Sequence, residues 1–369
     1  MQAKSTAMKA ITVPVVLATS LAGTAFAQSN VTVFGGLDLA VAHGSGSIAN
    51  ATQLANGYLA ASRLAFKGFE DLGGGLKAGF WVEAGFNADT GTGQNTNTNN
   101  QPTGAAGNGG LTWNRRSHLS LGNDWGEIRL GRDFDPQYLN IADFDPFDLS
   151  GTGTSQVLNS AITGPTLVRA SNSVSYLYGH GFNAAAIGYG PGGFSGSGFQ
   201  LHAMYYLGEN PSGTATSKDG TGYGVRAVYS TGKFTIAGAV SETRYAAGDV
   251  RQNNAGASYD FDVVRVMGMY EWDKNGAVSA RGWLAGAVVP AGVGVIRVAY
   301  SRYGTDAAGS PTAKKWAVGY VHSLSKRTAL YTAAAHVSNE GASASALNGA
   351  VTAPGQSSNG FDFGIRHNF

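Results

Sequence analysis

The chain contains no cysteine among its 369 residues, so disulfide bonds contribute nothing to its stability. Its seven histidines are scattered, without the paired spacing of a catalytic metal site, and no G-x-S-x-G nucleophile motif is present. We therefore expect neither an enzyme nor a bound metal or cofactor. Blocks of basic residues are missing too, which argues against nucleic acid as a partner.

Beyond residue 27, no apolar run reaches the roughly 18 residues that a membrane-spanning helix needs. The segment before it has the layout of a secretory signal peptide: basic residues, an apolar run and a small-x-small cleavage pattern, which are Lys4, Lys9, Ala10–Ala22 and Ala25-Phe26-Ala27. We expect residues 1–27 to be removed between Ala27 and Gln28, and residues 28–369 to form one domain. A membrane anchor is the alternative, but Pro14 interrupts this short run.

Met1 and Met8 are both candidate starts, because the segment from Met8 is a complete signal opening by itself. Loss of the signal peptide removes two lysines and no acid, so the mature chain has equal numbers of basic and acidic side chains.

Glycine is abundant, at 55 residues, and the apolar residues alternate strictly with polar ones in many segments. From Leu76 to Phe86 every second residue is apolar or small, whereas the other face carries Lys77, Trp81 and Glu83. These segments are about ten residues long, the length of a tilted strand that crosses a bilayer. Aromatic residues near strand ends, such as Trp272 and Tyr300, are candidates for interfacial girdles, although β-propensity alone is an equal explanation.

The connections between the segments alternate in length. Tight turns are predicted at Glu70–Gly75, Gly122–Gly126, Ser230–Lys233 and Ser325–Thr328. Long polar stretches lie at Asp89–Gly110, Asp133–Thr166, Gly208–Thr221 and Ser338–Asn359. Such sorting is typical of a transmembrane antiparallel β-barrel with short periplasmic turns and long external loops.

The number of strands must be even if both termini lie on one side of the membrane. A first count gives seventeen segments; assigning Phe182–Tyr189 to an extended turn leaves sixteen, which is our prediction. Strand boundaries between Ser171 and Leu201 stay open. A barrel of sixteen strands encloses water, and charged residues on the polar face are expected to line the lumen: Arg63, Lys67, Lys77, Glu83, Arg116, Arg226, Arg265 and Arg297.

Several motifs, in matching order over the whole mature chain, resemble those of the general porins of Gram-negative outer membranes. They are Ser62–Gly73 for the second strand and first turn, Leu130–Pro136 for the fifth strand and third loop, Arg169–Val174 for the strand after it, and Gly364–Phe369 for the closing strand. The chain departs from the pattern at Tyr178–Gly198, which is longer than a usual short turn.

The resemblance implies a homotrimer in the outer membrane, reached through the periplasm, whose third loop folds into the lumen and narrows it. Ions and small hydrophilic solutes would diffuse through without a chemical step. The terminal Phe369 resembles the aromatic residue that barrel-assembly machinery reads, and outer-membrane lipid and lipopolysaccharide would surround the barrel.

The third loop, expected at Asp133–Val168, contains five aspartates and no basic residue; we expect it to constrict the pore with Asp135, Asp143, Asp145 and Asp148. By position, Arg63, Arg132 and Arg169 match the family's basic wall opposite the loop. Opposed charges would give weak overall selectivity. Alternatively, these residues are ordinary solvated acids and bases. A Ca²⁺ loop at 143–148 is disfavoured, since it lacks the Gly and Glu of that motif.

Two other functions stay open. A substrate-selective channel would share the fold and differ in the loops and the lumen. An exported β-rich adhesin is a different class, and a solenoid of that kind would show an internal repeat that we do not find.

Overall fold

The computed structural model describes residues 30–369 except residues 108, 158–161, 163 and 184–196. The predicted signal peptide lies outside the described residues. Within them, sixteen long strands form one antiparallel sheet: β1 (Asn30–Gly46), β2 (Arg63–Gly73), β3 (Leu76–Asn87), β4 (Arg116–Asn123), β5 (Gly126–Phe134), β6 (Arg169–Tyr178), β7 (Ser197–Tyr206), β8 (Gly222–Thr231), β9 (Phe234–Thr243), β10 (Val250–Asp260), β11 (Arg265–Asn275), β12 (Val278–Ala291), β13 (Gly294–Thr305), β14 (Thr312–Ser323), β15 (Thr328–Glu340) and β16 (Ser358–Asn368). Short strands at Ala51–Asn56 and Thr92–Gly93 extend it.

The sheet closes on itself through β1. Residues 30–36 of β1 pair with β2, and residues 36–46 pair with β16. The last residue takes part in this closure, because the backbone N–H of Phe369 donates to the Gly35 carbonyl at 3.1 Å and its carbonyl accepts from the Gly35 N–H at 3.2 Å. A closed sheet leaves no strand edge whose backbone groups would face lipid unpaired.

Side chains alternate between the lumen and the outer surface, as the sequence pattern predicted. In β4, Arg116, His118 and Ser120 are buried inside the barrel, whereas Leu119 between them is 67% exposed on the outside. In β16, Phe361, Phe363 and Ile365 are exposed while Asp362 is buried. Apolar side chains that face outward over the whole wall suit a lipid environment.

The two ends of the barrel differ in the length of their connections. At one end, two-residue turns follow β2, β4, β8 and β12; at the other end lie the loops 47–62, 88–115, 135–168, 207–221 and 341–357. One connection at the loop end is short, since only Gly276 and Ala277 separate β11 from β12.

The prediction of sixteen strands is confirmed, with β6 and β7 joined at the turn end by residues 179–196. The start of this connection folds toward the lumen. Phe182 packs edge-on against Phe69, with 6.4 Å between ring centroids, and Asn183 Nδ2 donates to the Gly68 and Phe80 carbonyls. These contacts occupy the inner wall near the turn end, and Phe182 and Asn183 belong to a turn. The rest of the predicted turn, residues 184–189, lies outside the described residues.

The connection between β5 and β6, residues 135–168, is called loop 3 below, and its described residues lie inside the barrel. It begins with helix α1 (Pro136–Phe144), which Asp135 caps by accepting the Gln137 N–H at 3.0 Å, with Pro136 in the first helical turn. On the wall side, Asn140 Nδ2 donates to Asn254 Oδ1 on β10 at 2.6 Å. No helix in the described part of the chain is long and apolar enough to cross a membrane.

Candidate pore constriction

The aspartates of loop 3 bind the barrel wall and the loop's own backbone. Asp143 forms an ion pair with Arg226 on β8, and Asp148 Oδ2 lies 3.0 Å from an Arg297 guanidinium nitrogen on β13. Asp145 accepts the backbone N–H groups of Phe147 and Ser155. These carboxylates therefore fasten loop 3 in place.

Burial changes the acidity of these loop residues. It raises the pKa of Asp143 and of Asp148 to about 6, although the Arg226 and Arg297 guanidiniums oppose the change. It raises the pKa of Asp135 to about 8, since the backbone N–H of Gln137 offsets little of the cost of burying the charge. Acids that lined open water would keep ordinary pKa values, so these residues differ from solvated loop acids.

Apolar packing also holds the loop against the wall. Phe144 and Phe147 are buried in a cluster with inward-facing residues of the wall, including Met267 and Leu284. A Cβ atom built on Gly256 of β10 would lie 2.4 Å from the Phe144 ring. Glycine is required there because the phenyl ring touches the backbone of the wall.

An open cavity of about 360 Å³ remains between loop 3 and the opposite wall. Loop 3, the loops after β1 and β3, and the wall itself contribute to its lining, which consists of Asn56, Gly57, Leu59, Ala60, Ala61, Arg63, Gln94, Arg115, Tyr138, Asp148, Leu149, Ser150, Val168, Arg169 and Arg366. Four of these residues are arginines. Asp148 is the one carboxylate among them, and it is already paired with Arg297.

Specific contacts orient the arginines. Arg115 Nε donates to Glu83 Oε1 at 2.5 Å, and Arg63 Nε lies 3.8 Å from the same oxygen. The Arg169 guanidinium carbon stands 4.2 Å from the centroid of the Phe134 ring, a cation–π distance. Arg366 Nε donates to Asn368 Oδ1 at 3.1 Å. Their charges are thereby kept at the cavity wall.

Only two of the three residues predicted to form the basic wall lie at the cavity. Arg63 and Arg169 line the cavity, but Arg132 does not. Arg132 Nε donates to the Asn114 carbonyl at 2.7 Å, and its NH1 donates to the Asn97 carbonyl and to Ser171 Oγ. Arg132 therefore ties the loop after β3 to the start of β6.

The predicted acidic group divides as well. Among Asp135, Asp143, Asp145 and Asp148, the first three are buried and Asp148 alone borders the cavity. The four aspartates were predicted to give the pore an acidic side, but only Asp148 lies at the cavity.

Three other predicted lumen residues, Arg116, Lys67 and Lys77, lie on the inner wall but do not line this cavity. Arg116 Nε lies 3.1 Å from Asp133 Oδ1, and Lys67 Nζ stands 4.8 Å from the centroid of the Trp81 ring. Lys77 borders a separate cavity of about 430 Å³ at the turn end, with Asp124 and His180. Their part in conduction stays a prediction.

Two cavity arginines, Arg115 and Arg366, were missing from the predicted site. Arg366 was visible in the closing motif, on the polar face of its strand, and parity alone could have nominated it. Arg115 precedes β4 and lies outside any alternating run, so the sequence carried no comparable signal for it.

Comparison with known proteins agrees with this architecture. The sequence profile described as Gram-negative porin matches residues 10–342. This chain belongs to the Gram-negative porin family. The outer membrane porin protein 32 of Delftia acidovorans is 33% identical to this porin, over 94% of this chain and 96% of that protein. An outer membrane porin protein of Bordetella pertussis is 26% identical, over 77% of this chain and 74% of that protein.

A solved structure described as the anion-selective porin from Comamonas acidovorans is similar to this porin throughout. Its TM-score is 0.78 at 29% identity, and the match covers 93% of this chain and 100% of that one. The protein is thus an outer-membrane porin of a Gram-negative bacterium, a channel for ions and small hydrophilic solutes. Fold and family both favour the channel over the adhesin, and the relatives are channels and not enzymes.

Proposed function

We propose that this porin passes small anions in preference to cations, by passive diffusion and without a chemical step. The observation that carries the proposal is the composition of the cavity beside loop 3, where the four arginines, Arg63, Arg115, Arg169 and Arg366, outnumber the two carboxylates beside them, Asp148 on the lining and Glu83 behind it. A site lined by one sign of charge between low-dielectric walls attracts ions of the opposite sign. The similar structure from Comamonas acidovorans is described as anion-selective, which supports the same direction.

This proposal differs from the weak selectivity expected from the sequence. That expectation assumed that the aspartates of loop 3 face the pore, whereas Asp143 and Asp145 are buried against the wall. With those charges neutralised by partners or by protonation, the arginines dominate the local potential.

The reversal potential in a planar bilayer with a KCl gradient tests the proposal. We expect its sign to show chloride preference, and a potassium preference would contradict the proposal. The substrate-selective alternative makes a different prediction in the same apparatus, because one particular anion would then block the chloride current at low concentration.

The remaining parts of the proposal concern assembly and export. We propose a signal peptide at 1–27, a mature domain at 28–369, and a loop within 133–168 that sets the narrowest point. We also propose a homotrimer embedded in outer-membrane lipid and lipopolysaccharide, whose assembly machinery recognises Phe369. N-terminal sequencing of protein from the outer membrane tests the first point, and retention of Met1 or Met8 would contradict it.

A further inference from the structure

A bulge interrupts β6 close to the pore cavity. Ala170 pairs with Asp133 on β5. The next pair is Ser173 with Gly131, so two residues of β6 stand opposite one residue of β5. The first of the two, Ser171, has no partner in the register of β5 or of β7, both of which are described over their whole length. Because Ser171 is buried, its N–H and its carbonyl need hydrogen bonds from outside the sheet.

Asn100, in the loop after β3, supplies both of these hydrogen bonds. Its Oδ1 accepts the Ser171 N–H at 2.7 Å, and its Nδ2 donates to the Ser171 carbonyl at 2.9 Å. Nδ2 also donates to the Leu207 carbonyl, just after β7, at 3.1 Å. A carboxamide has two donor hydrogens and one acceptor oxygen, so the side chain is used on both sides. It takes the place of the strand partner that Ser171 lacks.

Asn100 is itself fixed by its surroundings. Its N–H donates to Asn97 Oδ1 at 2.7 Å, and its carbonyl accepts the Tyr245 hydroxyl at 2.6 Å. Its φ of +61° lies in the left-handed region, which asparagine adopts more readily than most other residues with a side chain. Only 1% of its surface is exposed. The loop after β3 therefore presents a preformed partner to the bulge.

Arg132 contacts the same serine in a different way. Its NH1 donates to the Ser171 hydroxyl at 2.7 Å and to no peptide group of that residue. The backbone of the bulge is therefore paired by Asn100 and not by Arg132.

The bulge decides which residue of β5 stands opposite Arg169. Arg169 lies two residues before Ser171 and pairs with Phe134, on whose ring its guanidinium stacks at 4.2 Å. Without the extra residue, the register of residues 173–177 would continue and would place Arg169 opposite Asp135. Loss of the bulge would thus separate the guanidinium from the ring that holds it at the cavity.

We propose that Asn100 is a positioning residue for the pore: by pairing both peptide groups of Ser171, it maintains the bulge of β6 and so holds the Arg169 guanidinium at the cavity. Asn100 carries no charge and is not among the residues that line the cavity, so it acts on ions through Arg169. The inference rests on the anion preference proposed above, to which Arg169 contributes one of four positive charges. It makes the loop after β3 a determinant of ion selectivity.

The test is the reversal potential of the full mature porin in a planar bilayer with a KCl gradient. Asn100→Gly removes the carboxamide and keeps a residue that adopts the same φ without strain. We expect the ratio of chloride to potassium permeability to fall about twofold, because a guanidinium that moves from about 6 Å to about 10 Å from an ion loses more than half of its screened potential. In the Arg169→Gln background, Asn100→Gly should cause no further fall, since the charge through which Asn100 acts is then absent.

Asn183→Gly is the matched control. Asn183 also has a positive φ, of +51°, and its Nδ2 also donates to two backbone carbonyls, those of Gly68 and Phe80. It lies at the turn end of the barrel, whereas Arg169 begins β6 at the loop end. Its replacement should leave the permeability ratio unchanged.

A ratio that falls equally in the unmodified and the Arg169→Gln backgrounds would overturn the proposal, because a general loosening of the loops acts in both. An unchanged ratio in Asn100→Gly, or an equal fall in Asn183→Gly, would overturn it as well. If Asn100→Gly folds poorly, Asn100→Asp gives the same test: its carboxylate cannot donate to the Ser171 carbonyl, and any direct effect of its charge is the same in both backgrounds. The preference of the unmodified porin tests the function proposed for the pore, whereas the difference between the two backgrounds tests Asn100, so the two failures are distinguishable.

Discussion

Neutralising Arg169 is the most direct test of how the pore selects ions. The change Arg169→Gln removes one of the four positive charges at the cavity and keeps a polar, shorter side chain. Arg169 stacks on Phe134, which itself is fully buried. We therefore expect the barrel to fold normally and the anion preference to fall.

The size of the effect follows from the cavity. A sphere of its volume, about 360 Å³, has a radius of about 4.4 Å, which sets a guanidinium about 6 Å from an ion at the centre. At that distance a unit charge in water contributes about 0.7 kcal/mol, reduced to about 0.4 kcal/mol by 0.1 M salt. The Arg169 charge favours an anion and disfavours a cation by the same energy, so its loss changes the difference between the two ions by about 0.8 kcal/mol. The ratio of chloride to potassium permeability should therefore fall about fourfold.

The assay is the reversal potential in a KCl gradient, with Arg281→Gln on the outer wall as the control for the same chemical change. The fall should be larger in dilute salt, because screening weakens as the Debye length grows. An unchanged ratio for Arg169→Gln, or an equal change in the control, would refute the assignment of the cavity as the selective point.

Four further predictions concern other residues. Lowering the pH from about 8 to about 5 should increase anion preference, because burial raises the pKa of Asp148 to about 6 and its negative charge is lost below that pH; Asp148→Asn should weaken this dependence of the reversal potential, and the remainder should come from buried Asp143, whose pKa is also raised to about 6. Arg132→Gln should leave selectivity nearly unchanged, and faster proteolysis of the loop after β3 should report the lost hydrogen bonds. Asp143→Ala should increase open-channel current noise, since removing one member of a buried ion pair costs roughly 3–5 kcal/mol. Deleting Phe369 should leave the chain unassembled in the periplasm, and normal amounts of heat-modifiable trimer would contradict that role.

The barrel could be predicted from the sequence because the alternation of apolar and polar residues that produces it is a local pattern. Alternation with a period of two, as in Leu76–Phe86, assigns each side chain to the lumen or the lipid, and closure follows from the need to pair every backbone group. The uncertain segment was the one after Tyr178, where residues fold inward at the turn end. Contacts such as that of Phe182 with Phe69 join residues far apart in the chain, and no local sequence pattern predicts them.

The candidate site was less predictable because charge type does not say where a side chain points. Arg132 lies just before loop 3 and Arg169 lies just after it. Both residues matched the family's basic wall by position. The bulge between Ala170 and Ser173, where the register of β6 on β5 shifts, separates their surroundings. Arg169 then reaches the cavity, while Arg132 turns toward Asn114 and Asn97.

The sign of the selectivity depends on which charges the folding of loop 3 neutralises. A loop with four aspartates and no basic residue predicts a cation-preferring side of the pore if those charges stay in water. Packing the loop inside the barrel desolvates them, and a buried carboxylate needs a partner or a proton. Arg226 and Arg297 on the wall supply partners for Asp143 and Asp148. On the other side of the cavity, the buried Glu83 pairs with Arg115 and lies 3.8 Å from Arg63, so one carboxylate offsets only part of the charge of the four arginines. The loop is acidic in sequence, yet the cavity beside it is basic, because the loop's carboxylates are used in contacts that hold the loop to the wall.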